Sequence, residues 1–246
     1  MTKKIILCLL LMMPALSFAA GGSAHLQHAN VDISNEASLQ RGAKYFVNYC
    51  LGCHSAKYVR YNRLALDLGL TENQLVENLM FTGERPHDTM DNAIPGTDSS
   101  NWFGRTPPDL SLTARARGAD WIYSFLKSFY ADPSKPSGTN NLVLEGASMP
   151  HVLWDLQGVQ EAVYRTEIGA DGEPHEVFDH FQINQPGSLS PEDFDVVAQD
   201  LTAFLVYISE PVQLERRSLG IKVILCLVVL FLFSFAYKKE LWKDVK

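Results

Sequence analysis

Apolar side chains recur at helical spacing in four stretches of the middle of the chain. Leu39, Ala43, Phe46 and Val47 fall at i, i+4, i+7 and i+8, which predicts an amphipathic helix over about residues 35–49 that leads into Cys50. Thr71-Glu72-Asn73-Gln74 has the form of a capping box, so a second helix opens there, runs to about Phe81 and stops at Gly83. Trp121, Phe125, Leu126 and Phe129 make a third stripe that ends before Pro133. Ser190-Pro191-Glu192-Asp193 opens the longest helix, with proline at the first helical position and a stripe of Phe194, Val197, Leu201, Phe204, Leu205 and Ile208. Ala162–Ile168 and Glu176–Phe181, joined across Gly169-Ala170-Asp171-Gly172, read as a small β-hairpin. Two turn-rich stretches, residues 84–109 and 132–148, show no period, and long loops inside a compact domain tend to be functional. The prediction is a mainly α domain with long loops and a small β-hairpin, its Ser190 helix packed on the helix before Cys50.

The ends are of another kind. Residues 1–20 carry Lys3 and Lys4, an apolar run from Ile5 to Met13 and a small-residue site at Ser17-Phe18-Ala19, the pattern of a secretory signal peptide. From Leu219 to Tyr237 the chain is apolar apart from Lys222, long enough for one transmembrane helix. Lys222 lies near its start, where its stem can snorkel to the interface. Lys238, Lys239, Lys243 and Lys246 follow, with Trp242 as an interfacial anchor. The expected organisation is a signal peptide at 1–20, an exported domain at 21–210, a linker at 211–218, an anchor at 219–237 and a cytoplasmic tail at 238–246. That places the chain in a bacterial inner membrane, single-pass, with its body in the periplasm.

Composition narrows the classes. With 46% hydrophobic and 20% charged residues the chain is neither disordered nor a small disulfide scaffold. The net charge of −7 argues against nucleic acid as a partner. Between residues 20 and 210 there are 12 Lys/Arg against 25 Asp/Glu, a net of −13, which would attract a basic partner and speed encounter at low salt. Glu161, Glu167, Glu173 and Glu176 read as solvated contributors to that field.

Cysteine arithmetic leads to the chemistry. Cys8 belongs to the leader and Cys226 to the anchor, so only Cys50 and Cys53 remain in the exported body. Cys50-Leu51-Gly52-Cys53-His54 is a CxxCH sequence: two thiols at this spacing can add to the two vinyl groups of one haem, and the adjacent His54 can meet its iron. A zinc site would need further Cys or His ligands, and a redox CxxC would want a βαβ context rather than the end of an amphipathic helix. The sixth ligand is open among Met80, Met90, Met149 and the remaining histidines, of which His151 is the rival to name. Met149 precedes Pro150 on a Gly/Ser-rich loop, which favours it; Met80 reads as core.

Beyond the motif, the stretches RGAKYFVNYCLGCHS, YVRYNRLALDLGL, PPDLSLTARARGADWIYSFLKSFY and MPHVLWDLQG resemble the cytochrome c1 family, from about residue 30 to the end. The resemblance implies a cytochrome c-like fold holding one covalently bound c-type haem (heme c), with His54 and Met149 as iron ligands. It implies that the Pro108 carbonyl accepts a hydrogen bond from the His54 ring, that Arg117 pairs with a haem propionate and that Tyr123, like Trp121, is a weaker propionate contact. It also implies an electron-carrier subunit of ubiquinol–cytochrome c reductase, in a dimeric complex with cytochrome b and a Rieske iron–sulfur protein. The electron would leave to a cytochrome c. Two other classes compete: a haem enzyme or gas sensor with an open distal side, and a membrane-anchored cytochrome c subunit of a terminal oxidase or nitric oxide reductase.

Overall fold

Asn35 opens the first helix, α1 (Glu36–Tyr45), by accepting a hydrogen bond from the Ser38 backbone N–H. Ser190 does the same for α8 (Pro191–Ser209), accepting from Asp193 N–H with Pro191 just inside. The computed structural model that shows these elements describes residues 26–169 and 172–244. The expected signal peptide and part of the hairpin turn, Ala170-Asp171, lie outside the described residues. Between the two capped helices come β1 (Ala56–Arg60), α2 (Tyr61–Asp67), α3 (Glu72–Asn78), β2 (Thr89–Met90), α4 (Gly96–Phe103), α5 (Thr113–Arg117), α6 (Ala119–Lys127), β3 (Phe129–Ala131), β4 (Thr139–Asn141), α7 (Trp154–Gln157), β5 (Gly158–Ile168) and β6 (Pro174–Pro186). The fold is mostly helical with small antiparallel hairpins, as the periodicity predicts.

α1 and α8 pack against each other at close range. Gly42 makes this possible: a Cβ there would lie 2.1 Å from the Asp200 carbonyl oxygen. The Phe46 ring packs tilted against Phe204 beside the crossing, centroids 5.3 Å apart. Ser38 and Arg41 satisfy the buried Asp200 carboxylate: Ser38 Oγ at 2.6 Å, and Arg41 Nε and Nη2 at 2.6 and 2.8 Å. Two partners on a bidentate fork are what a carboxylate buried between helices requires. The core runs on through Leu64, Leu75, Ile122, Leu153 and Leu201.

Four elements differ from the expected bounds. The helix of the Trp121 stripe ends at Lys127, and Phe129 lies on β3 instead. The Thr71 capping box is present, with both reciprocal bonds, but its helix ends at Asn78 rather than Phe81. The β5–β6 hairpin is longer than the alternation indicated, reaching back to Gly158 and on to Pro186, with register shifts at Val159/Gln160 and Val163/Tyr164 that break the period of two. The linker expected at 211–218 is mostly helix: Pro211 ends α8, and α9 (Gln213–Leu241) starts directly after it. The Glu210 carboxylate accepts hydrogen bonds from Arg216 and lies 3.6 Å from Arg115 Nη1, bracing the junction. By length and composition α9 is a candidate membrane span, with a mean hydropathy of 2.7 in its most apolar window.

Candidate functional site

The turn that follows α1 is not α-helical. Over Phe46–Cys50 the backbone widens into a π-turn, with Leu51 N–H donating to Phe46 C=O at 2.9 Å. Such single turns recur at functional sites because the extra residue re-aims the side chains that follow. The chain then folds tightly back, Cys53 N–H and His54 N–H both donating to the Cys50 carbonyl at 3.0 and 2.8 Å. Asn92 Nδ2 donates to the Cys53 carbonyl at 2.7 Å and holds the turn from outside. Cys50, Cys53 and His54 consequently line one open, largely apolar cavity of about 590 Å³.

Much of the remaining lining comes from the two turn-rich stretches. Phe103, Arg105, Pro107 and Pro108 enter from the first, and Ser148, Met149 and Pro150 from the second. Tyr49 bridges the sides: its hydroxyl donates to Asp155 Oδ2 at 3.0 Å, tying the turn of Cys50 to the segment after Met149. His54 Nδ1 lies 2.7 Å from the Pro108 carbonyl. A carbonyl only accepts, so Nδ1 carries the hydrogen and Nε2 keeps its lone pair. Burial lowers the His54 pKa below its ordinary value, against the opposing effects of the Pro108 carbonyl and Asp109, so the ring is neutral at neutral pH. That is the form in which an imidazole ligates a metal.

The cysteines are free thiols. Burial, with Cys53 alongside, pushes the Cys50 thiol up to about 12, opposite to the depressed value a redox CxxC uses. Among the described residues, no group of three or more His, Cys, Asp or Glu side chains is placed to hold a metal ion. The donors on offer are thus one imidazole, one thioether and two thiols, all lining one apolar slot. A flat tetrapyrrole with two vinyl groups fits that donor set.

Of the rivals for the sixth position, Met149 alone among the described residues lines this cavity. Met90 is fully buried in the core on β2, and Met80 packs against the same core. His151 points the other way, stacked on Phe129 at 5.2 Å and lining a separate cavity with Tyr130 and Gln160. Burial holds its pKa down to about 4.

Arg117 and Tyr123 are not among the residues lining the cavity. α5 ends at Arg117, whose guanidinium lies over the Trp121 ring at 5.1 Å, a cation–π contact that keeps it at the surface of α6. Tyr123 is buried on the far face of α6 against Ala29 and Ala198; Lys127 Nζ sits 4.7 Å above its ring and donates to its hydroxyl at 3.1 Å. The lining arginine is Arg105. Among the described residues no carboxylate pairs with it. Arg105 and Phe103 fall inside the unperiodic stretch 84–109, and that stretch was the sole sequence signal for either.

Comparison with known proteins finds relatives along nearly the whole chain. The Cytochrome C1 family matches residues 27–163 and 179–245. The unmatched residues between are the outer part of the β5–β6 hairpin. The chain is 48% identical to the cytochrome c1 of Allochromatium vinosum over 100% of both chains. It is 40% identical to a protein of Nitrosomonas europaea named ammonia monooxygenase gamma subunit, over 98% of both. A mitochondrial cytochrome b-c1 complex catalytic subunit of Candida albicans is 27% identical, over 86% of this chain and 73% of that one.

Proposed function

This chain belongs to the cytochrome c1 family, and from that premise we propose that it is the haem-bearing electron carrier of a membrane-bound ubiquinol–cytochrome c reductase. The observation that carries the reading is a single cavity lined by Cys50, Cys53, His54 and Met149 together. Cys50 and Cys53 would hold one haem covalently through their sulfurs, and His54 Nε2 and the Met149 sulfur would ligate its iron. The group would supply reversible one-electron storage.

The protein's own part is to bind, orient and exclude. The Pro108 carbonyl fixes the tautomer and the plane of the His54 ring. Phe103, Pro107 and Val152 keep water from the slot, which favours the less charged redox state and raises the potential. Arg105 is the cation available at the cavity to a carboxylate of the group. α9 anchors the domain in a membrane beside cytochrome b, with the haem domain in the periplasm and the C-terminus in the cytoplasm. The electron arrives from a Rieske iron–sulfur protein and leaves to a cytochrome c, whose approach the net charge of −13 over residues 20–210 assists. Enzymatic activity resides in the complex; no side chain at this site performs acid–base chemistry.

Purification of the full chain from native membranes in mild detergent tests the reading. Co-purified b-type haem, a Rieske paramagnetic signal and quinol:cytochrome c activity are expected. A c-haem that arrives with copper, with non-haem iron or with a monooxygenase instead would contradict it.

A further inference from the structure

We propose that Asp109 is a positioning residue for the His54 ring: its carboxylate clamps the chain directly after His54 to the chain directly after Pro108, and so sets the strength of the hydrogen bond between them. The inference rests on His54 being an iron ligand, as proposed above. Asp109 Oδ2 accepts from Ser55 Oγ and from Lys57 N–H, both at 2.9 Å. Asp109 Oδ1 accepts from Ser111 N–H at 2.9 Å, which fixes the carboxylate's own orientation. Leu110 N–H donates back to the Ser55 carbonyl at 2.8 Å, and Tyr58 N–H donates to Ser111 Oγ at 3.1 Å. Four bonds therefore join residues 55–58 to residues 109–111. They begin one residue beyond each partner of the 2.7 Å His54–Pro108 contact. Ser55 and Ser111 are both buried, so their polar groups depend on this arrangement.

The clamp has a consequence for the iron ligand. A short Nδ1–H···O=C bond makes an imidazole a stronger donor to a metal, which favours the oxidised state of an iron it ligates. Without the clamp, the loop that carries Pro108 is free to move away from the ring. The bond lengthens, the ring donates less and the potential rises. Asp109 touches neither the ring nor the cavity; beyond the direct effect of its charge, which Ser55→Ala leaves in place, it acts through Pro108 and not as a ligand.

The test uses the full chain, haem-loaded, in detergent-solubilised membranes, with three variants and two readouts. Asp109→Asn removes the charge and part of the clamp. Ser55→Ala removes one clamp bond with no change of charge. Asp91→Asn removes a carboxylate that pairs with Lys57 at 3.4 Å on the same segment and has no part in the clamp. The readouts are the midpoint potential and the electron paramagnetic g-values of the oxidised haem. Asp109→Asn and Ser55→Ala should both raise the potential and shift the g-values, Asp109→Asn the more; Asp91→Asn should leave the g-values in place. If Ser55→Ala matches the parent in both readouts, the proposal is overturned, and this arm stands even where Asp109→Asn fails to accumulate. It is equally overturned if Asp109→Asn shifts the potential only as far as Asp91→Asn does. Failure of the functional reading shows separately, as a parent protein without a histidine–methionine spectrum.

Discussion

The His54 ring is gripped directly by the protein, whereas Met149 is held at a distance. The His54 wall has the Nδ1–Pro108 bond at 2.7 Å, the His54 N–H bond to the Cys50 carbonyl at 2.8 Å and the Asp109 clamp one residue away. The Met149 wall is shaped by two buried asparagines further up the chain. Asn141 Oδ1 accepts from Val143 and Leu144 N–H at 2.9 and 3.0 Å, while its Nδ2 donates to the Phe125 carbonyl at 2.8 Å. Asn140 Oδ1 accepts from Gly146 N–H at 2.9 Å. The difference follows from chemistry. An imidazole has a second nitrogen through which the protein can grip it, whereas a thioether sulfur has no donor and must be delivered by backbone shape alone. The histidine side is therefore tuned, and the methionine side is the one that can be lost.

Perturbing each wall in turn breaks or sharpens this contrast. The largest effect is expected from Met149→Leu: haem attachment persists, the potential falls, and the reduced protein binds carbon monoxide, each read optically on the purified chain. Asn141→Ala comes next. It strips four hydrogen bonds from a buried site, counting the one from Ser128 Oγ at 3.2 Å. It should lower stability by on the order of 3 kcal/mol and release Met149 in part of the population. Gly42→Ala touches neither wall. Its Cβ would collide with the Asp200 carbonyl, so a loss of about 1–3 kcal/mol is expected with unchanged ligation spectra, measured by thermal unfolding. The smallest effect belongs to Asn92→Ala on the histidine side. Loss of the bond to the Cys53 carbonyl, and of the longer one that Asn92 Oδ1 accepts from Ile94 N–H at 3.2 Å, should cost about 1 kcal/mol, with His54 and Met149 both retained at the cavity. Ligand loss in Asn92→Ala, without any in Asn141→Ala, would invert the contrast.

Some of this was readable from residue order and some was not, for physical reasons. The Thr71 and Ser190 caps and the helix behind Cys50 rest on local rules, and the structure shows each. The CxxCH turn and the loop position of Met149 were equally local, since spacing and a following proline define them. The π-turn at Phe46–Cys50 was not, because an i→i+5 bond has no side-chain period to announce it. Asn140 and Asn141 read as ordinary loop polar residues; their burial is a tertiary fact. Arg105 and Phe103 meet the cavity only because the chain between α4 and α5 folds back across His54. Arg117 was placed by resemblance alone; its guanidinium lies over the Trp121 ring on the next helix, a contact with no sequence period to announce it.

The most direct test of the central claim is the near-infrared and electron paramagnetic spectrum of the oxidised, purified full chain, followed by exposure of the reduced form to carbon monoxide. The account predicts a sulfur-to-iron charge-transfer band, a low-spin signal and no carbon monoxide adduct. An adduct, or a low-spin signal without the sulfur band, would show that Met149 does not complete the iron's coordination and would contradict the account.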